Sequence, residues 1–123
     1  MEYNNEYINA FEQYEGYTYP STETRNINFS TYKYVPFNIK EIKRKDGNIL
    51  YVWEYICLKL NEYNYEGLIK ELIFRKYADN SDIIAITLNY MSDPTNDKYK
   101  KEFEELQAYR KEVKDFAKKY FKM

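Results

Sequence analysis

The period of the hydrophobic residues changes near residue 64, and this change constrains the fold more than any other feature of the sequence. Before it, residues 49–58 (ILYVWEYICL) alternate as in an extended strand, so that the tyrosines and the single tryptophan face one way. Asp46 and Gly47 precede this run and predict a tight hairpin turn, because both positions tolerate a positive φ. Both faces of the strand are largely apolar, so we expect helices to cover at least one of them.

Three later segments have helical character. Residues 65–77 carry leucine and isoleucine on adjacent turns, and residues 98–120 carry an aromatic and aliphatic stripe at spacings of three and four. Residues 82–91 are interpreted as a helix that Ser81 can cap, although so apolar a run also fits a strand. Thr95 or Asn96 can cap the last helix. The predicted fold class is α+β: an N-terminal extended arm or short helix, a β-hairpin, and three helices packed on it.

The N-terminal region differs in composition from the rest of the chain. Residues 1–30 contain five glutamates and one arginine, a net charge of −4, whereas residues 98–123 contain nine basic and five acidic residues, a net charge of +4. Such asymmetry allows pairing between copies or with a partner of similar asymmetry. We predict an assembly arm over 1–37 and a hairpin-plus-helices body over 38–123. The first 30 residues have too little aliphatic content to fold alone, so we expect them to be mobile in the free monomer.

The arm is rich in tyrosine, which brings a large apolar ring and a polar hydroxyl to an interface. Four aromatic residues between positions 3 and 14 recur at spacings of four, four and three, which places them on one face if this segment is helical. The segment that follows, residues 16–37, is interpreted as extended chain with one edge strand near 26–35. The predicted partner-binding residues are Tyr3, Tyr7, Phe11, Tyr14, Tyr17 and Tyr19.

Catalytic and metal chemistry have little support in this sequence. It contains no histidine and a single cysteine, Cys57, which lies in an apolar strand and is interpreted as a buried, inert thiol. No glycine-rich phosphate-binding loop occurs among the three glycines. Glu102 and Glu105 alternate with lysines on a helix and are interpreted as a solvated face. We therefore predict no enzyme activity, no catalytic residue, no metal site and no cofactor.

Nucleic-acid binding stays open as an alternative. Lys43, Arg44 and Lys45 at the hairpin tip, with Lys40, could neutralise phosphates while neighbouring aromatic residues stack on bases. The sequence pI of about 5.6 and the small size of this cluster argue against that role. No apolar run is long enough to span a bilayer and no signal peptide is evident, so we expect synthesis in the host cytoplasm and no membrane partner.

The C-terminal half resembles a small module of uncharacterised and virion-associated proteins from tailed phages and prophages of gut Bacteroidetes, including crAss-like phages. The module has the pattern Y-x-x-(L/I)-(V/I)-x-x-(I/L)-I-x-x-(K/R)-Y, an apolar helix, and E-(F/M)-x-x-(L/Y)-Q-x-(Y/W)-R-x-x-x-K-x-x-A-K. Residues 1–60 match no pattern of this kind. The matching residues are Tyr65, Leu68, Ile69, Leu72, Ile73, Lys76, Tyr77, Glu102, Phe103, Leu106, Gln107, Tyr109, Arg110, Lys114, Ala117 and Lys118.

This resemblance implies a structural or accessory role in a virion rather than an activity, and it does not distinguish head, neck and tail. Our own expectation is a protein associated with the capsid or head fibres. The expected partners are other virion proteins, copies of the chain itself, or both, reached through the tyrosine-rich arm, and the expected location is the virion. The alternatives are a small cytosolic phage regulator that binds nucleic acid or a host protein, and an assembly chaperone.

Overall fold

The computed structural model describes residues 8–77 and 80–123, with Asn80 described by its backbone alone. The described elements are four strands followed by a 3-10 turn and three helices, which confirms the predicted α+β class. The chain divides into two compact units, a sheet unit (Met1–Tyr63) and a helical unit (Asn64–Met123). The boundary therefore lies at the residue where the hydrophobic period changes.

The sheet unit contains one antiparallel sheet whose strands lie in the order β1-β4-β3-β2. The two long strands, β3 and β4, lie in the centre, and the two short strands form the edges. A 3-10 turn, Leu60–Glu62, follows the last strand. The strands are β1 (Gln13–Gly16), β2 (Glu23–Ile27), β3 (Ser30–Lys43) and β4 (Ile49–Lys59).

The predicted central hairpin is confirmed. Arg44 donates its backbone N–H to the Asn48 carbonyl at 2.9 Å, and the Asp46 carboxylate accepts the Asn48 N–H at 3.0 Å. Gly47 has a φ of 87°, in the region that a side chain rarely adopts. The hairpin therefore lies where the Asp-Gly pair predicts it, although of the pair only Gly47 has a positive φ.

A second hairpin replaces the single edge strand predicted near 26–35. β2 pairs with β3 from Glu23 opposite Tyr34 to Ile27 opposite Ser30, which leaves only Asn28 and Phe29 to connect the strands. Both connecting residues have positive φ, 50° and 64°. Two successive residues of positive φ form the type of turn that matches the twist of a hairpin. The sequence does not indicate this turn, because phenylalanine is not a residue typical of it.

The first strand differs from the predicted arm in conformation. β1 pairs with β4 from Gln13 opposite Glu54 to Gly16 opposite Tyr51, so these residues are not helical. Although the aromatics have helical spacing, this segment pairs with β4 as a strand, because the backbone groups at the free edge of β4 can form hydrogen bonds with it. Ile8 is also buried against the sheet, whereas the predicted positions Tyr3 and Tyr7 lie outside the described residues.

The predicted division after residue 37 falls inside β3. This strand continues from its pairing with β2 through to the hairpin turn, with one irregularity between Phe37 and Lys40. There β3 has one residue more than β4, Asn38 adopts a φ of 52°, and its amide donates to the Glu54 carboxylate at 2.9 Å. This bulge bends the strand without interrupting it, so residues 13–59 belong to one sheet.

The helical unit contains α1 (Tyr65–Tyr77), α2 (Asn80–Ser92) and α3 (Asp97–Tyr120). The Asn64 side chain accepts the Gly67 N–H at 2.8 Å and so caps α1. Of the two predicted caps of α3, Asn96 fills the role, accepting a backbone N–H at 3.2 Å. The segment that sequence alone left between helix and strand is helical.

Both α1 and α2 pack on α3. The Tyr109 hydroxyl donates to the Leu72 carbonyl at 2.8 Å and joins α3 to α1, while the Tyr90 ring stacks on Phe103 with centroids 4.3 Å apart and joins α2 to α3. Through these contacts, aromatic residues of α3 connect all three helices of the unit. The buried residues of α1 and α3 are Leu68, Leu72, Leu106, Val113 and Ala117.

Candidate docking surface

Three aromatic side chains around β1 are exposed although the strand that carries them is part of the sheet. Phe11 is 82% exposed, and Tyr17 and Tyr19 are each 60% exposed. Phe11 precedes β1 and the two tyrosines follow it, so ~26 Å of fully extended chain is the largest separation between Phe11 and Tyr19. We call these three residues the β1 aromatics.

Tyr14 behaves differently from its predicted partners. Its ring packs edge to face against Tyr55, with centroids 5.2 Å apart, inside a cluster that also holds Ile8 and Tyr34. Its hydroxyl accepts the Asn9 N–H at 3.1 Å and lies 3.2 Å from the Asn9 carbonyl, to which it donates. Tyr14 therefore anchors the segment to the sheet, and the predicted interface set separates into an anchored residue and exposed ones.

The strand pairing brings the two tyrosines beside the central hairpin. Tyr19 packs edge to face on Tyr51, with centroids 5.4 Å apart, and the Arg44 guanidinium lies 5.9 Å from the Tyr17 ring centroid. The sequence contains the tyrosines and the basic tip as separate features. Only the register of β1 on β4 shows that they meet, and no local signal in the sequence indicates that register.

Gly16 permits this close approach. A Cβ atom placed on it would lie 3.3 Å from Cη2 of Trp53, so the indole ring lies directly against the backbone of β1. Trp53 is half-buried and packs against the same tyrosine cluster as Tyr14. The absence of a side chain at Gly16 therefore provides space for the only tryptophan of the chain.

The charges around the β1 aromatics have both signs. Glu12 and Glu15 are exposed on the β1 side, and Lys43, Arg44 and Lys45 are exposed on the hairpin tip. Mixed charge with exposed aromatic rings is typical of a surface that recognises another protein, in which tyrosine and arginine carry much of the binding energy. A surface for duplex nucleic acid would carry a larger excess of basic residues.

The opposite edge of the sheet is less suited to docking. Arg25 on β2 is buried, and its guanidinium donates to the Glu23 carboxylate and to the Thr24 carbonyl, each at 3.1 Å. An inward-pointing charge on an edge strand disfavours pairing with a further strand. The β1 side is therefore the edge of the sheet that offers apolar contact area.

Burial raises the pKa of the Tyr55 phenol, and the Glu23 carboxylate acts in the same direction. Tyr55 therefore keeps its proton at neutral pH and contributes as a packing residue of the cluster. Cys57, half-buried, packs against this cluster as well. The strand face that carries most aromatic residues thus packs against the segment that precedes β1.

The helical unit contains an open cleft of about 430 Å³, lined by residues of all three helices. Tyr77 lines it, and burial together with the nearby Glu105 carboxylate raises the pKa of its phenol. Among the described residues, no group of three acidic or cysteine side chains converges as a metal site would require. The other residues lining the cleft are Lys76, Asp82, Ala85, Ile86, Asn89 and Glu102.

No helix in the described part of the chain has both the length and the apolar character needed to cross a bilayer. Comparison with protein-family models, curated proteins and solved structures finds no match to this chain.

Proposed function

We propose that this chain is a structural or accessory protein of a bacteriophage virion, associated with the capsid or head fibres, which docks on other virion subunits through the β1 aromatics. The observation that carries the docking role is the exposure of Phe11, Tyr17 and Tyr19 on a segment that strand pairing holds in place. Exposed aromatic rings on an ordered frame bind with little loss of conformational entropy, because the backbone is already fixed.

The binding energy is expected to be concentrated at these rings. Truncating a central aromatic residue of an interface commonly costs ~2 kcal/mol or more of binding free energy. Tyr17 and Tyr19 are already restrained by Arg44 and Tyr51, so a partner meets them in defined positions. Of the six residues predicted from sequence, three are exposed and Tyr14 supports them, while Tyr3 and Tyr7 lie outside the described residues.

The virion setting depends on the resemblance of the helical half to modules of phage proteins. Within that setting the absence of histidine and the single half-buried cysteine favour a binding role over an enzymatic one. In this proposal the sheet unit provides the docking surface, and the helical unit contains the residues that resemble the phage-protein module.

Mass spectrometry of purified phage particles tests this proposal. Wild-type protein is expected in the particles at a fixed ratio to the major capsid protein. A variant with Phe11, Tyr17 and Tyr19 replaced by alanine should fold and yet be missing from them, whereas the control Phe29→Ala, which removes a fully exposed phenylalanine elsewhere in the sheet unit, should be incorporated. Particles that lack the wild-type protein would contradict the virion role.

A second candidate function is binding to single-stranded nucleic acid, favoured by the position of Arg44 over Tyr17. Exposed tyrosines beside three basic residues could stack bases and neutralise phosphates. Fluorescence titration with a single-stranded oligonucleotide separates the two functions. The docking role predicts no measurable binding at physiological salt. Submicromolar binding that weakens with salt and is lost when Lys43, Arg44 and Lys45 become glutamate would establish the second candidate instead.

A further inference from the structure

The C-terminal half of α3 presents a row of lysines to solvent. Lys111, Lys114 and Lys118 follow one another at spacings of three and four, which places them on one face of the helix, and all three are exposed. We call these three residues the lysine stripe. Among residues 8–77 and 80–123, none of the three forms an ion pair with a carboxylate, so the stripe keeps its positive charge.

The folding of the helix does not explain this arrangement. Like charges at spacings of three and four destabilise a helix. The helix dipole favours a lysine in the last turn, where Lys118 lies, but Lys111 and Lys114 precede that turn. The stripe therefore lowers the stability of α3, and its chemistry points to an anionic partner.

The surroundings of the stripe distinguish between classes of anionic partner. A helix that lies on an anionic membrane carries exposed apolar residues beside its basic face, whereas the buried residues Leu106, Val113 and Ala117 of α3 face the unit. A nucleic-acid duplex would bring its phosphates close to Glu112 and Asp115, which are exposed on α3 beside the stripe. A polypeptide segment with a few spaced carboxylates is narrow enough to contact the stripe alone.

The sheet unit of this same chain carries such carboxylates. Residues 1–24 contain five glutamates and no lysine or arginine. Of these, Glu12 and Glu15 are exposed beside β1 and lie no more than ~10 Å apart along the chain. Lys111 and Lys118 are ~10 Å apart along the axis of α3. Two glutamates can therefore reach two lysines of the stripe at the same time.

We infer that the lysine stripe of one molecule binds Glu12 and Glu15 of a second copy. This inference names the subunit that the docking surface meets, and so it rests on the proposed function. Tyr17, exposed on the same segment, adds favourable contact area, since an ammonium group is attracted to the face of an aromatic ring. The two surfaces are different parts of the chain, so the contact is head-to-tail and can continue from copy to copy.

The expected contact is weak and sensitive to salt. Exposed ion pairs each contribute little, so we expect a dissociation constant of ~10–100 μM at low ionic strength. Raising the salt concentration from about 50 mM to about 500 mM should weaken self-association about tenfold or more, because salt screens exposed charges.

Charge exchange tests the inference directly. One variant changes the stripe (Lys111→Glu, Lys114→Glu, Lys118→Glu), and a second variant changes the opposing residues (Glu12→Lys, Glu15→Lys). In analytical ultracentrifugation at low ionic strength, each variant alone should self-associate about tenfold more weakly than wild type, or worse. An equimolar mixture of the two should recover association to within about threefold of wild type, since each supplies the charges that the other lacks.

A matched control changes three exposed lysines outside the stripe. Lys70→Glu, Lys98→Glu and Lys101→Glu alter the net charge by the same amount, and this variant should self-associate like wild type. A wild-type protein that is monomeric at about 1 mM, or a mixture that associates no better than its components, would overturn the inference. A monomeric wild type that binds a single-stranded oligonucleotide, when the stripe variant does not, would assign the stripe to nucleic acid instead.

Particle composition separates this inference from the proposed function. Wild-type protein that is present in purified particles but monomeric in solution would overturn the inference alone. Particles that lack the protein would overturn the proposed function, whereas the charge-exchange experiment would still decide whether copies bind through the lysine stripe.

Discussion

Tyr14 and Tyr55 pack edge to face, with ring centroids 5.2 Å apart, and this contact joins the N-terminal segment to the centre of the sheet. The segment is therefore a strand of its own domain rather than a detached arm. Phe11, Tyr17 and Tyr19 project from the two ends of that strand with most of their surface exposed. A fixed backbone beneath exposed aromatic rings is the basis of the docking role proposed for this protein.

Hydrogen–deuterium exchange should show that β1 is protected in the free monomer. As an edge strand, β1 directs alternate amides to β4, whereas the connecting residues Asn28 and Phe29 are exposed. The paired amides within residues 13–16 should therefore exchange more slowly than that turn, because their exchange requires opening of the sheet edge. The variant Tyr14→Ala should lose this protection and about 2 kcal/mol of stability. Equal exchange rates in β1 and the turn would instead indicate that the segment is the mobile arm predicted from its composition.

Gly16→Val should disturb the packing of Trp53. The added atoms meet the indole ring, since a Cβ alone would lie 3.3 Å from Cη2, and such overpacking costs ~1–3 kcal/mol. The change should appear as a shift in the emission of the only tryptophan.

Gly47→Ala is the matched control for that variant. A Cβ there has open space around it, but the φ of 87° strains any side chain, so the variant should lose about 1 kcal/mol. Its tryptophan emission should match that of wild type. An emission shift in both variants, or in neither, would mean that Trp53 does not lie against Gly16.

Two leucines of the helical unit should respond very differently to truncation. Leu106 on α3 is fully buried, so Leu106→Ala should cost ~2–5 kcal/mol through lost burial and a cavity. Leu88 on α2 is 59% exposed, and Leu88→Ala should change the stability of the dilute monomer by less than about 0.5 kcal/mol. Urea unfolding of both variants measures the difference. Similar losses would show that α2 is packed more deeply than the structure places it.

Alkaline pH should destabilise the protein through Tyr55 and Tyr77. Burial raises the pKa of each phenol above the ordinary value of 10.0. The folded state then retains protons that the unfolded chain releases, so stability is complete below about pH 10 and falls as the pH rises through the raised pKa. Tyr55→Phe and Tyr77→Phe should each make the loss of stability between about pH 9 and about pH 11 shallower. Unchanged slopes would contradict the burial of these phenols.

The sequence predicts β4 and the three helices because their patterns are local, whereas the predicted boundary after residue 37 divides β3. The alternation of residues 49–58, the Asp46-Gly47 turn and the capping residue Asn96 each act within a few positions of the chain. β1 escapes prediction because its four residues, QYEG, have no apolar alternation and owe their conformation to a distant strand. β2 escapes because Asn28 and Phe29 form its turn without glycine.

The same distinction applies to the candidate site. Composition alone indicates that tyrosines near the N-terminus are suited to an interface. It cannot separate Tyr14, which strand pairing buries against Tyr55, from Tyr17, which the same pairing exposes beside Arg44. That separation requires the register of two strands far apart in sequence, and register depends on the whole sheet.

The most direct test of the docking role has two steps. Cross-linking in phage particles first identifies the subunit that contacts the protein, and titration calorimetry then measures the affinity of the purified protein for that subunit. Replacing Phe11, Tyr17 and Tyr19 by alanine should weaken binding at least 100-fold, while the melting temperature falls by only a few degrees, since exposed rings contribute little to stability. The control Phe29→Ala should bind like wild type. Undiminished affinity in the triple variant, with the control variant behaving identically, would contradict the account, because the exposed aromatics around β1 would then carry none of the binding energy.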